Sequence, residues 1–263
     1  MLKKPEVSVI MTIYNHESYL KDSIKSLQKQ TFKNWELIAI ENGSSDRSKK
    51  ILKSFKDNRI KKKFLKKNIG RTKCLNLALK YVRGRYIAVL DSDDLALKNR
   101  LHEQVKHLKK NKNTYLLATN YFLFNDKKKD IKINSFKEFN NKKTILFRNC
   151  IAHSTVMYRK ELINKVGIYP NNYTYAQDYA FYLKIFRKYK IDILEKFLNK
   201  IRYNHKESET IRNEKSNLII NEELKILVWV LKNFKFNIID VIFIFRAFLK
   251  IFFKKFTLIF KNI

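Results

Sequence analysis

Apolar and polar positions along the 263-residue chain follow two rhythms in turn. Val7 to Ile13 is a nearly continuous apolar run, the pattern of a strand covered on both faces. Tyr14-Asn15 ends it. From His16 to Gln30 the apolar Leu20, Ile24 and Leu27 recur at helical spacing. Trp35 to Ile40 predicts a second strand. The cluster Asn42-Gly43-Ser44-Ser45-Asp46 breaks it and supplies short polar side chains that suit the start of the next helix. A short strand near Ile60 to Leu65, a turn at Asn68-Ile69-Gly70 and a helix over Thr72 to Val82 follow, with Gly84 marking the end of that helix. Tyr86 to Leu90 is a third apolar strand, and it runs directly into Asp91-Ser92-Asp93-Asp94.

This alternation predicts an α/β fold, a mostly parallel sheet flanked by helices. Ligands of such sheets sit beyond the carboxyl ends of the strands. Three polar clusters fall at those ends: Thr12 to Asn15, Glu41 to Asp46, and Asp91 to Asp94. The middle of the chain is more mixed. Tyr115 to Phe124 reads as a strand, Asp126 to Asp130 as a charged turn and Ile131 to Ile133 as a returning edge strand. His153 to Tyr158 reads as a further strand and Gln177 to Lys188 as a helix.

Hydrophobic residues make up 45% of the chain, enough for a packed core, which excludes wholesale disorder. Lys and Arg number 57 against 24 Asp and Glu, a net charge of +33. Such a charge attracts polyanions: nucleic acid, anionic lipid or a phosphate-bearing substrate. An AT-rich coding sequence would also raise Lys, so charge alone names no partner. The two cysteines, Cys74 and Cys150, form no metal-binding or redox spacing and suit a reducing compartment. Neither a Gly-rich phosphate loop nor a recognisable nucleic-acid module is visible, and no specific nucleic-acid partner is expected.

The tetrad Asp91-Ser92-Asp93-Asp94 places three carboxylates within four residues. Like charges so close need a compensating cation when buried. Hard divalent ions, Mn²⁺ or Mg²⁺, take oxygen ligands and bridge carboxylates to substrate phosphates.

Several segments, taken in order, resemble the family 2 glycosyltransferases. Pro5 to Asn15 is similar to the opening strand of that family, and Glu41-Asn42-Gly43-Ser44-Ser45-Asp46 to its acidic Gly-Ser loop. Asn68-Ile69-Gly70 with Leu75-Asn76 is similar to its Asn-x-Gly loop and following helix. Gly84 to Asp94 resembles the metal-site strand, Arg100-Leu101 and Gln104 the helix after it, and Gln177-Asp178-Tyr179 the catalytic Glu/Gln-Asp element. The resemblance spans about Pro5 to Arg212. It implies a GT-A fold over 1–212 and an inverting transfer of a sugar from a nucleotide-sugar donor, a UDP-hexose or UDP-N-acetylhexosamine, to an acceptor hydroxyl.

The same resemblance assigns roles. Thr12, Tyr14 and Glu41 would line the base pocket, with Glu41 accepting the uracil N3–H, and Asn15 would also contact the nucleotide sugar. Asn68 and Ser92 would bind the nucleotide sugar, Asp91 would contact its ribose or base, Asp93 would hold the metal directly or through water, and Asp94 would support the site or bind the donor sugar. Asp178 would be the general base. Arg202 and His205 resemble a late Tyr-Arg-x-His element that would bind the diphosphate or complete the metal shell. Apart from the resemblance, His153 fits either a strand edge near the acceptor or a hydrogen-bonding place in the core or a turn.

Past about Asn213 the pattern changes. Leu218 to Leu231 and Ile238 to Phe260 are rich in Ile, Leu and Phe, and Arg246, Lys250 and Lys254 recur every four residues along one helical stripe. Residues 213–263 are therefore expected to form a basic, amphipathic helical extension on an anionic membrane surface, or else to pack on the protein itself or form a dimer contact. No signal peptide is recognisable. The expectation is a cytoplasmic enzyme, peripheral on the inner membrane, that acts on a glycan or lipid-linked acceptor in bacterial surface polysaccharide, capsule or lipo-oligosaccharide synthesis. Two alternatives compete. A basic nucleic-acid-binding protein accounts for the charge but turns the carboxylate tetrad toward an anionic partner. A catalytically inactive, membrane-associated scaffold leaves Asp91, Asp93 and Asp178 without a purpose.

Overall fold

The computed structural model describes residues 4–125, 128–139, 143–203, 216–236, 243–249, 251 and 253. His205, Lys250, Lys254 and most of the expected helix Ile238 to Phe260 lie outside them.

Strands β1 (Val7–Ile13), β2 (Trp35–Glu41), β3 (Ile60–Phe64) and β4 (Tyr86–Val89) form a parallel array in the order β3-β2-β1-β4. Their register brings the strand ends together. Ile13 pairs with Glu41, and Ile10 pairs with Val89. Tyr14-Asn15, Asn42 and Asp91 therefore emerge along one edge of the sheet.

Alternate side chains of these strands enter two cores. Val9, Met11, Leu37, Ala39 and Ala88 pack beneath α1 (Leu20–Gln28), α2 (Ser48–Ser54) and α4 (Arg100–Lys110). Ile10, Ile38, Ile40, Ile87 and Val89 pack against α3 (Arg71–Leu79) and α8 (Gln177–Phe186). Both faces are covered, which is why the strands read as unbroken apolar runs. The two cysteines are buried and form no disulfide.

The sheet then becomes mixed. Strand β8 (Met157–Arg159) runs antiparallel between β4 and β6 (Thr114–Asn125). Beyond β6 lies β9 (Lys190–Arg202), parallel to it, and β9 carries the two-residue β5 (Leu95–Ala96) on its far side. Strand β7 (Lys128–Ile133) pairs with β6 as an antiparallel edge. Short helices α5 (Ser135–Phe139), α6 (Thr144–Phe147) and α7 (Leu162–Val166) fill the connections.

Some expected elements shift. The first helix begins at Leu20 because His16 to Tyr19 form the turn that leads into it. The strand expected over His153 to Tyr158 starts only at Met157. His153–Thr155 is a single 3₁₀ turn, held by Thr155 Oγ1 donating to the Ala152 carbonyl at 2.7 Å. The alternation reads as a strand, but this local bond competes with the ladder, and Gln104 Nε2 and Asn199 Nδ2 donate to the Thr155 and Ser154 carbonyls at 2.8 and 2.9 Å.

Helix α9 (Ser216–Asn233) packs on the body of the protein. Ile220, Ile226, Leu227 and Val230 are each at most 3% exposed, and burying one such side chain contributes about 1.5–3 kcal/mol. Among the described residues no helix is long and apolar enough to cross a membrane.

Candidate active site

A cavity of about 1010 Å³ opens beyond the strand ends. That is at the upper limit of a site for one small ligand. Of the residues singled out from the sequence, Thr12, Tyr14, Asn15, Asn68, Asp91, Asp93, Asp94, Asp178 and Arg202 all line it. Glu41 and Ser92 are buried and do not, and His205 lies outside the described residues.

The wall at β1 and β2 is built by backbone geometry and by amides. Asn15 takes a positive φ of 52°, which Asn tolerates better than most side chains. Its Oδ1 accepts the Ser45 N–H at 2.9 Å, fixing the two loops to each other. Asn42 donates to Asn68 Oδ1 at 2.9 Å and accepts the Ile69 N–H at 2.9 Å. Between them Gly43 has φ 69°, and a Cβ there would lie 2.6 Å from the Lys67 carbonyl carbon. Only glycine allows that approach. Glu41 is fully buried. One carboxylate oxygen accepts the Ser44 N–H at 2.6 Å, and Oε2 has no partner among the described residues. A buried carboxylate oxygen left so is costly.

The acidic loop after β4 is held from several directions. Ser92 donates to the Thr12 carbonyl at 3.1 Å and lies 2.6 Å from His16 Nδ1, so its hydroxyl ties β1 to the loop. Asp91 receives Arg71 Nη2 at 2.6 Å. Burial works to raise the Asp91 pKa, but the Arg71 guanidinium, with His153, outweighs it and holds the carboxyl well below the usual range. Arg71 also lies 2.9 Å from His153 Nδ1. The ring Nδ1 is also 3.8 Å from Asp91 Oδ1, and Nε2 lies 3.2 Å from the Tyr169 hydroxyl. Arg71 was not singled out from the sequence; its position directly after the Asn68-Ile69-Gly70 turn is the signal for it.

Asp94 is 3% exposed and accepts the Arg202 N–H at 2.9 Å. Burial first, then Asp93 and Asp91, push its carboxyl well above the usual range. The Arg202 guanidinium lies over the rings of Tyr19 and Phe124, 4.3 and 4.5 Å from their centroids. Beneath the loop the fully buried Arg100 donates to the Val89 carbonyl at 2.8 Å. Its pKa falls to about 9 through burial, with Asp94 and Asp91 opposing.

Among the described residues no three His, Cys, Asp or Glu side chains form a ready-made metal cage. The donor set still fits a hard divalent ion. Such ions need only one or two carboxylates when substrate phosphates and water complete the shell. The mutual repulsion felt by Asp94 is what a cation would relieve.

Across the cavity Asp178 occupies the first turn of α8, where the helix dipole favours a carboxylate. The helix cap is Ala176, so Asp178 is not the capping residue. Its Oδ1 accepts the Tyr179 N–H at 2.7 Å, and Asn149 donates to Oδ2 at 3.2 Å. Glu222 of α9 supports the preceding loop. It is 2% exposed and accepts the backbone N–H groups of Thr174, Tyr175 and Ala176 at 2.6, 2.9 and 2.9 Å. Neither Asn149 nor Glu222 carries a local sequence signal.

Residues 8–167 match the profile of Glycosyl transferase family 2. The chain belongs to this family. This glycosyltransferase is 34% identical over 234 residues to an uncharacterized glycosyltransferase of Methanocaldococcus jannaschii, covering 85% of this chain and 80% of that one. It is 34% identical over 189 residues to the Escherichia coli UDP-Glc:alpha-D-GlcNAc-diphosphoundecaprenol beta-1,3-glucosyltransferase WfgD, covering 72% of each. Among solved structures it is similar to S. aureus TarS 1-349 in complex with UDP-GlcNAc, with a TM-score of 0.68 and 24% identity over 86% of this chain and 71% of that one. It is also similar to the Pyrobaculum calidifontis mannosyltransferase PcManGT in complex with GDP-Man and Mn²⁺, with a TM-score of 0.66 and 14% identity over 98% of this chain and 70% of that one. At these identities the structural likenesses establish the fold, which is GT-A.

Proposed function

We propose that this glycosyltransferase moves a hexose or N-acetylhexosamine from a UDP-sugar, with inversion, to a hydroxyl of a glycan or lipid-linked acceptor in bacterial surface polysaccharide assembly. The observation that carries the reading is that Asp93 and Asp178, from separate elements, line one cavity together with seven other residues of the expected site. Thr12, Tyr14 and Asn15 flank the base, and Glu41, buried behind the cavity wall, acts by holding the turn beside them through the Ser44 N–H. Arg71 keeps Asp91 ionised as an acceptor for the ribose hydroxyls. Ser92 acts by fixing the β1 and β4 ends, and Asn68 by fixing the loop beside them. Asp94 and Arg202 face the donor sugar and diphosphate.

Asp93 is the residue to hold Mn²⁺ or Mg²⁺, with His205 as a second candidate ligand. When bound, such an ion offsets the charge that grows on the departing diphosphate. Asp178 Oδ2 takes the proton of the acceptor hydroxyl. The acceptor oxygen bonds to the anomeric carbon from the face opposite the diphosphate, and the old C–O bond leaves its electron pair on the diphosphate. One displacement inverts the centre.

Peripheral membrane attachment, on the cytoplasmic face of the inner membrane, is part of the proposal. Phe245, Phe248 and Phe253 are 62%, 42% and 59% exposed, an arrangement suited to an interfacial helix with basic neighbours. The reading is tested with a panel of UDP-, GDP- and dTDP-sugars, each with Mn²⁺ or Mg²⁺. A metal-dependent gain in affinity for a UDP-sugar, with slow hydrolysis in the absence of acceptor, is the expected result. A panel in which no nucleotide sugar binds more tightly with metal contradicts it.

A further inference from the structure

The 3₁₀ turn His153–Thr155 has no part in the reaction above, yet three separate elements hold it. Gln104 of α4 and Asn199 of β9 donate to its Thr155 and Ser154 carbonyls. Gln104 Oε1 accepts Arg100 Nε at 3.0 Å, and Arg100 Nη2 reaches the Val156 carbonyl, just past the turn, at 3.2 Å. The same Nη2 donates to the Val89 carbonyl, two residues before Asp91. The third element is Tyr169, whose ring meets the His153 ring edge-on with centroids 5.6 Å apart. All three residues of the turn are buried, and a close-packed setting with this many bonds leaves the turn little freedom.

From this fixed position the turn reaches the donor end of the cavity. Ser154 Oγ accepts the Asp91 N–H at 2.9 Å. A hydroxyl has one hydrogen to give, and that of Ser154 goes to the Asp94 carboxylate, where it favours the ionised form against burial. One hydroxyl thus spans the first and last residues of the acidic tetrad, with Asp93 between them. His153 Nδ1 lies beside both members of the Arg71–Asp91 pair, 2.9 Å from the guanidinium and 3.8 Å from the carboxylate. Strand β9, which holds the turn through Asn199, also presents the Arg202 N–H to Asp94. His153 lines the cavity, but both ring nitrogens are engaged, one by the Arg71–Asp91 pair and one by Tyr169. That argues against a place for it in holding the acceptor.

We infer that Ser154 and His153 are positioning residues of the donor site with separable duties: Ser154 presets the Asp91–Asp94 loop to receive the divalent ion, and His153 presets Arg71 and Asp91 to receive the nucleotide. This rests on the glycosyltransferase reading above and deepens it by assigning the turn to the donor rather than to the acceptor. The physical reason is preorganisation. Three carboxylates in one short loop repel one another, and a loop that had to be ordered at the moment of binding would lose affinity by that cost.

The test uses the full chain and titrates UDP, with and without Mn²⁺, into wild type, Ser154→Ala, Ser154→Cys and His153→Phe, each with a thermal melt. Ser154→Ala is expected to cut the Mn²⁺-dependent gain in UDP affinity roughly tenfold, while metal-free affinity stays within about twofold. Ser154→Cys, a weak donor of similar size, should fall between, and it carries the test if Ser154→Ala does not fold. His153→Phe keeps a ring against Tyr169 and should show the converse, a metal-free affinity lowered about tenfold with the Mn²⁺ gain intact. A role in packing alone would lower the melting temperature and change both titrations alike or neither, and either of those outcomes overturns the inference. Wild-type UDP affinity that Mn²⁺ does not raise refutes the metal reading and the duty of Ser154 with it, leaving His153 to stand or fall on the metal-free titration. Failure of UDP to bind wild type refutes the uridine reading alone, and the same comparison is then made with GDP and dTDP. A wild-type chain that binds none of the three overturns the donor reading and the inference together.

Discussion

Glu222 accepts the backbone N–H of Ala176 at 2.9 Å, two residues before Asp178. With the bonds to Thr174 and Tyr175, one buried carboxylate from α9 fixes the loop that leads into α8, whose first turn carries Asp178, the proposed base. Hydrogen bonds to a charged group contribute about 1.5–3 kcal/mol each. Glu222→Ala is therefore expected to lower stability by roughly 3 kcal/mol or more and to reduce the transfer rate with little effect on nucleotide affinity. Glu222→Gln, which keeps the shape and one acceptor, should fall between. Thermal melts, nucleotide titration and transfer rates measured together check this. A Glu222→Ala enzyme that transfers at the wild-type rate would contradict it.

Arg71 and Asp91 form a partly buried pair, with side chains 26% and 21% exposed. Breaking a fully buried pair costs about 3–5 kcal/mol, so Arg71→Met should cost less, roughly 2 kcal/mol, since water reaches both groups. The sign of the pH dependence follows from the depressed Asp91 pKa. A carboxyl depressed in the folded state adds stability above its unfolded pKa of about 3.9. That stability is lost as pH falls toward the folded value. The gap in melting temperature between wild type and Arg71→Met should be widest at neutral pH and should narrow below about pH 4. A gap independent of pH would show that the pair does not hold Asp91 ionised.

Metal removal separates the acidic loop from the rest of the site. Chelation, or Asp93→Ala with metal present, is expected to weaken nucleotide-sugar binding by about tenfold or more, since Asp93 would hold a divalent ion whose charge would attract the diphosphate. Calorimetric titration with and without Mn²⁺ reads this out. Equal affinity in both conditions would assign Asp93 another purpose.

The exposed aromatic residues of the terminal segment have their own test. Replacing Phe245, Phe248 and Phe253 together with Ser should reduce co-flotation with anionic phospholipid vesicles severalfold, since each buried ring contributes to interfacial binding. Unchanged flotation would remove the membrane reading. Truncation after Arg212 is a poor substitute, because it deletes α9 with its buried Ile220, Ile226 and Val230.

The parallel half of the fold was legible because β1, β2 and β4 are covered on both faces and so are nearly all apolar. Strand β9 was not. Its 13 residues, Lys190–Arg202, include Asp192, Glu195, Lys196 and Lys200, and its pairing with β6 shifts register, which breaks the two-residue alternation. Within the site, the acidic loop could be read because it follows a strand directly. Glu222 and Asn149 could not, since each meets the base region only through tertiary packing, 46 and 29 residues away in the chain. Ser92 marks a third case: the motif was visible, yet its hydroxyl is taken up by Thr12 and His16.

The central claim is that Asp178 removes the acceptor proton in a cavity that binds the donor independently. Asp178→Asn keeps the Asn149 and Tyr179 contacts sterically feasible while removing the basic oxygen. In single-turnover assays with a donor identified from the nucleotide-sugar panel, donor affinity should stay within about twofold, while transfer falls by roughly 10²–10⁴. Transfer at a near-normal rate by Asp178→Asn would contradict the account.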